Sequence, residues 1–361
     1  MQCIDIKHGL NISPETAFAP AVETLSAGSV ALLGLDYPGV KPALVVEQGD
    51  RVSLGDVLWT DRADQRICCC APATGIVSAI HLGARRSLQA LVIEVTETTD
   101  EYNATPPTSV AVDAGAVRDV LQRNGLWPAL RTRPFDIIPA ADAAIKHLFI
   151  TAIDTHPLAL NPASVIQRNT QAFAAGIEKL SLLAGHTYVC TAPGDEPAHA
   201  DIPGVTSVAF SGPHPAGLVG THIHYLAANA EGACYIGYQD VIAVGHLFLN
   251  GRITVVRDIS LAGSGLNQPR HLRTRIGAAL IDLIGDSAPG STATSGSPLH
   301  EQRDGLVSGY LGRLHNQAWV TAPVARASAK PAKVKSWQQQ LVAPRTAGDR
   351  RQTGEAPMTG M

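Results

Sequence analysis

From residue 30 to residue 95 the apolar positions come in short runs cut by turn residues: "VALLGL", "YPGVKPALVVEQGD", "RVSLGDVLW", "ICCCAPATG", "IVSAIHLG" and "LQALVIEV". Closely spaced strands of this kind predict a small barrel or sandwich. A Thr- and Pro-rich link, "TETTDEYNATPPTS", follows, and then "AVRDVLQRNGLW", with apolar residues at helical spacing and a glycine near its end. From residue 147 the period changes. "HLFITAID" is a buried-strand run, "PASVIQRNTQAFAAGIEKLSLLAG" reads as a helix, and "TYVCTAPGD" and "VTSVAFSG" read as strands. Strands alternating with helices predict βαβ units and a parallel sheet. Residues 235–262 read as a helix returning through a glycine turn into a strand. Residues 268–320 read as a short helix, "LRTRIGAALIDLIG", and two strands, "GLVSGYLG" and "HNQAWVTAPV", around a Gly/Ser loop, enough for a small α+β unit.

The chain has 361 residues, enough for two or three domains with separate cores. Its apolar runs are too short for a bilayer, which needs about 20 residues: "SVALLGL" and "DVIAVGHLFL" are each cut by charge, Gly or Pro. The N-terminus "MQCIDIKHGLNI" lacks a basic segment followed by a sustained apolar stretch, so a cytoplasmic protein is expected. Six cysteines, three of them consecutive and none in a CxxC pair, form neither a disulfide framework nor a zinc ribbon, and reduced thiols are expected. The net charge of −3 is uneven: residues 323–361 hold seven Lys/Arg against two Asp/Glu, which leaves the rest at −8. That Ala/Pro/Lys/Gln-rich tail cannot bury a core and reads as disordered.

Candidate chemistry begins at "EQGDRVSLGDVL" (47–58) and "APATGIV" (71–77), which match the two halves of a biotinyl or lipoyl carrier domain. The tip between them, "WTDRADQRI", has no lysine to acylate, so the scaffold is present without its attachment point. On a strand only Cys68 and Cys70 share a face, with Cys69 opposite. Two thiolates without a second ligand pair make a poor metal site, and structural burial is the favoured reading. There is no GxGxxG between strand and helix and no P-loop. In "SGPHPAGLVGTHIHYL" the histidines His214, His222 and His224 lack an acidic partner at useful spacing, so no metal is expected. They read either as structural histidines or as a ligand- or partner-facing loop. No nucleophile elbow supports a hydrolase, and no catalytic residue is assigned.

Several stretches together resemble the NqrA subunits of the bacterial Na(+)-translocating NADH:quinone oxidoreductase (Na(+)-NQR). They are "VALLGLDYPGVKP" (30–42), "EQGDRVSLGDVL", "APATGIVSAIHLGARRSLQALVIEV", "GLWPALRTRPFDIIPA" (125–140), "TAIDTHPLA" (151–159), "GPHPAGLVGTHIHYL" (212–226), "YQDVIAVGHLF" (238–248) and "YLGRLHNQ" (310–317). The resemblance implies a mixed α+β and α/β fold: a barrel-sandwich hybrid over 1–105 without the attachment lysine, and a Rossmann-like domain over 106–262. A small soluble-ligand-binding β-grasp (SLBB-type) domain over 263–322 and a disordered basic tail over 323–361 would follow. It also implies a peripheral subunit on the cytoplasmic face of the inner membrane, in a six-subunit complex that passes electrons from NADH to ubiquinone and exports Na(+). The partners expected are the other subunits and ubiquinone, with membrane association through those partners and no nucleic acid.

Related architecture in the Rnf complex and in the NADH-oxidising subunit of complex I carries a glycine-rich flavin loop. Here the matching stretch is "GLWPALRTRPF", where Trp127, Pro128 and Arg131 would hold a phosphate away from the backbone. No cofactor is therefore expected on this chain, and NAD, flavins and ubiquinone belong to the complex as a whole. For quinone contact the candidates are Leu33, Tyr37 and Val40 in one loop and Arg131 and Phe135 in another, because an apolar slot with an aromatic ring and a few donors suits a quinone. Beyond Pro323 the sequence departs from the family pattern, as a truncated or frame-shifted gene or a shortened paralogue would, and assembly into the complex is left open. A non-catalytic binding protein or orphan paralogue without a complex is the alternative.

Overall fold

The computed structural model describes residues 2–10, 22–99, 101–103, 113–195, 201–227, 231–285, 287, 289–302 and 309–323. Apart from Pro323, the expected basic tail lies outside them.

The first part is built from two small sheets. Strands Ser29–Leu33, Leu88–Glu97, Thr74–Leu82 and Arg51–Val52 pair in that order, and Pro42–Leu44, Val57–Asp61 and Cys68–Cys70 form the second sheet. Val30, Leu32, Leu58, Trp59, Val77 and Ile93 fill the space between them. The run "VALL" is continuously apolar because both of its faces are covered. Ala31 and Leu33 turn the other way and pack with Ala90 and Val92, and the Ala31 N–H donates to the Gly277 carbonyl at 2.8 Å. The glycine of "APATG" sits in the long hairpin, where a Cβ on Gly75 would stand 2.0 Å from the Glu94 carbonyl oxygen. The hairpin tip at 62–67 carries an exposed Arg66–Asp64 ion pair where a carrier domain would present lysine.

The second part is a six-stranded sheet in the order Gln2–Asp5, Val205–Ser211, Ala184–Thr191, Ile145–Ala152, Ala233–Gly237 and Arg131–Thr132. All neighbours run parallel except the last pair. Leu148 and Ile150 face a core shared with helices Thr170–Ser181 and Tyr238–Asn250. Phe149 faces the opposite layer, where helix Val219–Leu226 lies. This two-sided burial explains the unbroken apolar strand. Helix Ala114–Arg123 starts where the Asp113 side chain accepts the Ala116 N–H at 2.8 Å.

The third part is a mixed sheet in the order Val22–Thr24, Arg270–Arg275, Val256–Ala262, Gln317–Thr321, Thr292–Ser297 and His300–Gln302, with the short helix Leu280–Leu283 beside it.

Several segments pair or coil differently from what the sequence pattern suggested. The stretch expected for the first domain, 1–105, contributes to all three parts: Gln2–Asp5 extends the parallel sheet and Val22–Thr24 the third one. Val256–Ala262, expected at the end of the α/β part, lies inside the third sheet, paired with Arg270–Arg275. The helix expected over 162–185 is broken at Asn169, whose amide donates to the Val165 carbonyl at 2.9 Å and competes with the helical ladder. "LRTR" is strand, because Leu272 and Thr274 point inward against Val256–Ala262, and only Leu280–Leu283 is helical. Of "GLVSGYLG", 305–308 lie outside the described residues and Tyr310 makes an isolated bridge to Ala279.

Candidate functional site

The parallel strands Ile145–Ala152, Ala184–Thr191 and Val205–Ser211 are laid down in one direction. The chain then crosses to the other side of the first to form Ala233–Gly237. Where the order reverses, the loops leaving the two central strands diverge and open a crevice at their carboxyl ends, the usual ligand position in such sheets. A cleft of about 1080 Å³ occupies this place. Its walls come from 35–38, 129–136, 151–156, 214–221, 235–240 and 313–316, brought together from all three parts of the chain.

The cleft gathers the loops that the sequence singled out, but with different side chains forward. Leu33 is fully buried on the strand, Val40 is half-buried against the core, and Tyr37 is inside. The Tyr37 ring meets Trp59 edge-on at 4.7 Å, and its hydroxyl accepts from the Cys69 thiol at 3.0 Å. From this loop Leu35, Asp36 and Pro38 line the cleft instead. Phe135 is 79% exposed, between the lining residues Arg133 and Asp136. Arg131 does line the cleft, but its guanidinium is spent on the carbonyls of Pro128, Leu130 and Asp36. The adjoining Trp127 is buried, donating Nε1–H to the Pro139 carbonyl at 2.9 Å.

The three histidines separate. His222 is buried against Phe210 and donates Nε2–H to the Ala216 carbonyl at 2.9 Å, and burial pushes its pKa down to about 4. It is a neutral packing residue. His224 is exposed. His214 lines the cleft 4.8 Å from His156, ring to ring. Cys68 and Cys70 lie along one strand as expected: the Cys68 thiol donates to the Gln122 carbonyl at 3.1 Å, and burial pushes the Cys69 thiol on the other face up to about 12.

Residues that the sequence pattern did not single out define much of the wall. Asp240, at the start of helix Tyr238–Asn250, is buried with Arg257 and Arg313, and both guanidinium groups donate to its Oδ1. Arg313 also donates its backbone N–H to Asp36 Oδ2 at 2.9 Å. Gln239 ties the same corner to Asn316 and to the Asp258 backbone. Polar residues close to a "GY" or "GR" boundary were the available signal, but their partners are far away in sequence.

Asp36 has its carboxyl pushed up to about 6 by burial, against the opposing pull of the Arg313 N–H and of the Arg131 and Arg313 charges. A carboxyl that titrates higher when folded supports stability at acid pH, and that support is lost as pH rises through about 6. Asp36→Asn keeps an acceptor for Arg313 and removes the charge. It is expected to raise stability by about 1–3 kcal/mol at neutral pH, since the buried charge is removed, with no gain near pH ~4. Urea midpoints at the two pH values measure this, and a variant less stable at neutral pH would refute it.

Residues 4–96 match the family profile described as the NqrA N-terminal barrel-sandwich hybrid domain, and 112–253 match the NqrA second alpha/beta domain. The NqrA subunit of the Na(+)-translocating NADH-quinone reductase of Pseudomonas aeruginosa is 44% identical over 321 residues, covering 87% of this chain and 72% of that one. The chain belongs to the NqrA family of Na(+)-translocating NADH-quinone reductase subunits. Family members from Saccharophagus degradans and Vibrio anguillarum are each 41% identical, over 88% of this chain and 73% of theirs. Among the described residues of this NqrA-family chain, no helix is long and apolar enough to cross a membrane.

Proposed function

We propose that this chain serves as a peripheral subunit of an NADH:quinone reductase that exports Na(+), docked on the cytoplasmic face of the membrane beside the other subunits, and that its cleft receives the quinone head group. NADH, flavin chemistry and the sodium path then belong to the complex, while this chain contributes binding and orientation. The observation that carries the reading is the convergence of the family-typical loops 30–42, 125–140, 212–226 and 310–317 on one cleft at the switch point of the sheet.

The chemistry of that cleft suits a flat ring with two carbonyl oxygens. The Arg133 guanidinium stands 5.4 Å from the Tyr235 ring centre, and the Tyr235 hydroxyl donates to Asp136. Leu35, Phe135, Ile137 and Leu299 are exposed at or beside the wall, at 51%, 79%, 37% and 43%, and offer apolar contact to an isoprenoid tail. The two loops touch: the Ile138 N–H donates to the Pro38 carbonyl at 3.1 Å.

Photo-crosslinking with a quinone analogue tests the reading. Label is expected within 35–38 and 131–136, competed by free quinone, and reduced about tenfold in Leu35→Arg/Phe135→Asp, equivalent to ~1.4 kcal/mol. Label that free quinone does not displace, or that falls outside the cleft loops, would exclude it.

A further inference from the structure

We infer that His156, oriented by Asp154, is the proton donor to a quinone oxygen when quinone is reduced in this cleft. The inference rests on the quinone reading above and adds the residue that completes the reaction.

Quinone reduction takes two electrons and two protons. The electrons come from NADH through the reductase, and NADH oxidation also yields one proton. Each quinone oxygen gains an O–H bond. A group at the site must therefore break an N–H or O–H bond in step with electron arrival, and then be reprotonated from water.

The loop that continues strand Ile145–Ala152 places such a group at the switch point. Asp154 Oδ1 accepts twice from the residue two places on, from the His156 backbone N–H at 2.9 Å and from ring Nδ1 at 2.7 Å. The paired bonds fix the ring and commit the Nδ1 proton to the carboxylate. Nε2 is left for exchange with a ligand: the Nε2–H bond of the imidazolium breaks as the quinone O–H bond forms, and the neutral ring that keeps its Nδ1–H takes a proton back from water. Both side chains line the cleft and remain partly open, at 26% and 21% exposure.

The surroundings favour one proton carrier at this spot. His214 comes from the loop after strand Val205–Ser211, with its Nδ1 3.1 Å from the Thr155 hydroxyl. That hydroxyl also accepts the Gly217 N–H at 2.9 Å, which ties Thr155 and His214 to the loop ahead of helix Val219–Leu226. Burial, then the neighbouring His156, lowers the His214 pKa and keeps that ring neutral. Tyr238, from the start of helix Tyr238–Asn250, also feels Asp154: burial and then that carboxylate hold its hydroxyl protonated. A fixed, carboxylate-backed imidazole beside a neutral one is an arrangement for delivering a proton. Packing alone would not require it at a cleft wall.

The test uses the assembled reductase. In His156→Gln, NADH:quinone turnover is expected to fall about 100-fold in kcat with KM within about twofold. NADH:ferricyanide activity should be unchanged, because ferricyanide takes electrons without protons. In His156→Ala, added imidazole should restore turnover in proportion to its concentration, an effect a merely structural histidine would not show. Asp154→Asn, which changes positioning, should lower kcat about tenfold at constant KM. Normal turnover in His156→Gln while the quinone analogue still labels the cleft would overturn the inference. So would a loss expressed as raised KM without imidazole rescue. Absence of cleft labelling in the wild-type complex would instead overturn the quinone reading beneath it.

Discussion

Gly245→Val is expected to destabilise the protein by on the order of 4 kcal/mol or more, or to abolish soluble expression. Helices Thr170–Ser181 and Tyr238–Asn250 cross with their backbones in contact. A Cβ at Gly245 would stand 1.6 Å from the Ala172 carbonyl oxygen, and one at Gly176 would stand 2.1 Å from the Val241 carbonyl oxygen. The obstacle at each place is backbone, which cannot swing aside as a side chain can. Overpacking by a methylene or two typically costs about 1–3 kcal/mol, and here a whole helix must move off the sheet. Because Tyr238–Asn250 begins at the cleft, the same displacement would carry Gln239 and Asp240 out of the wall. Gly220, also helical, has nothing within 4 Å of its Cβ position. Gly220→Ala should therefore be neutral or gain up to about 1 kcal/mol. Urea unfolding of the two variants beside wild type measures the contrast, and equal midpoints for Gly245→Val and wild type would refute the packing argument.

The crossing was partly legible in the sequence, since a lone glycine inside "DVIAVGHLFL" weakens a helix and calls for a packing reason. Strands were legible wherever their burial was continuous, as in "HLFITA", or where turn residues bounded them closely, as in the barrel-sandwich. "LRTRIGAALIDLIG" misled because Leu272 and Ile276 fit helical spacing, while the partner that makes "RHLRTR" a strand, Val256–Ala262, lies in an earlier segment. The functional loops were legible as segments and their lining residues were not. Periodicity fixes which way a side chain points on a helix or strand, and Leu35, Asp36, Arg133 and Asp136 lie in loops where no such rule operates. Tyr37 illustrates the cost of choosing by residue type: an aromatic in a loop suggested a stacking surface, yet its ring fills the barrel core and its hydroxyl is engaged by Cys69. The polar corner was still less accessible, since Arg313 meets Asp36 across 277 positions and Asp240 across 73.

That corner carries the other large effect. Asp240→Ala is expected to cost about 3–5 kcal/mol, because it removes the carboxylate that two buried guanidinium groups share. Arg257 and Arg313 are 3% and 5% exposed, and both donate to the same carboxylate oxygen. Burial alone would push the Asp240 carboxyl up, but Arg257 and then Arg313 outweigh it and hold the group below the ordinary carboxylate range. A carboxyl depressed on folding contributes stability above its unfolded pKa and loses it as pH falls through the folded one. The gap between wild type and Asp240→Ala should thus be full at neutral pH and narrow below about pH 4. Asp240→Asn, which keeps the shape and removes the charge, should fall close to the alanine variant. Replacing all three residues by apolar side chains of similar volume should recover much of the loss, since burying the ions has its own desolvation cost. Because Arg313 joins Asp240 to Asp36 through its side chain and its backbone N–H, the damage should reach the cleft. Residues 35–38 would lose their tie to helix Tyr238–Asn250, and quinone-analogue labelling there should weaken even where Asp240→Ala remains folded. Wild-type urea midpoints at neutral pH for Asp240→Ala would show that the two arginines are balanced in some other way, and the account of this corner would fail.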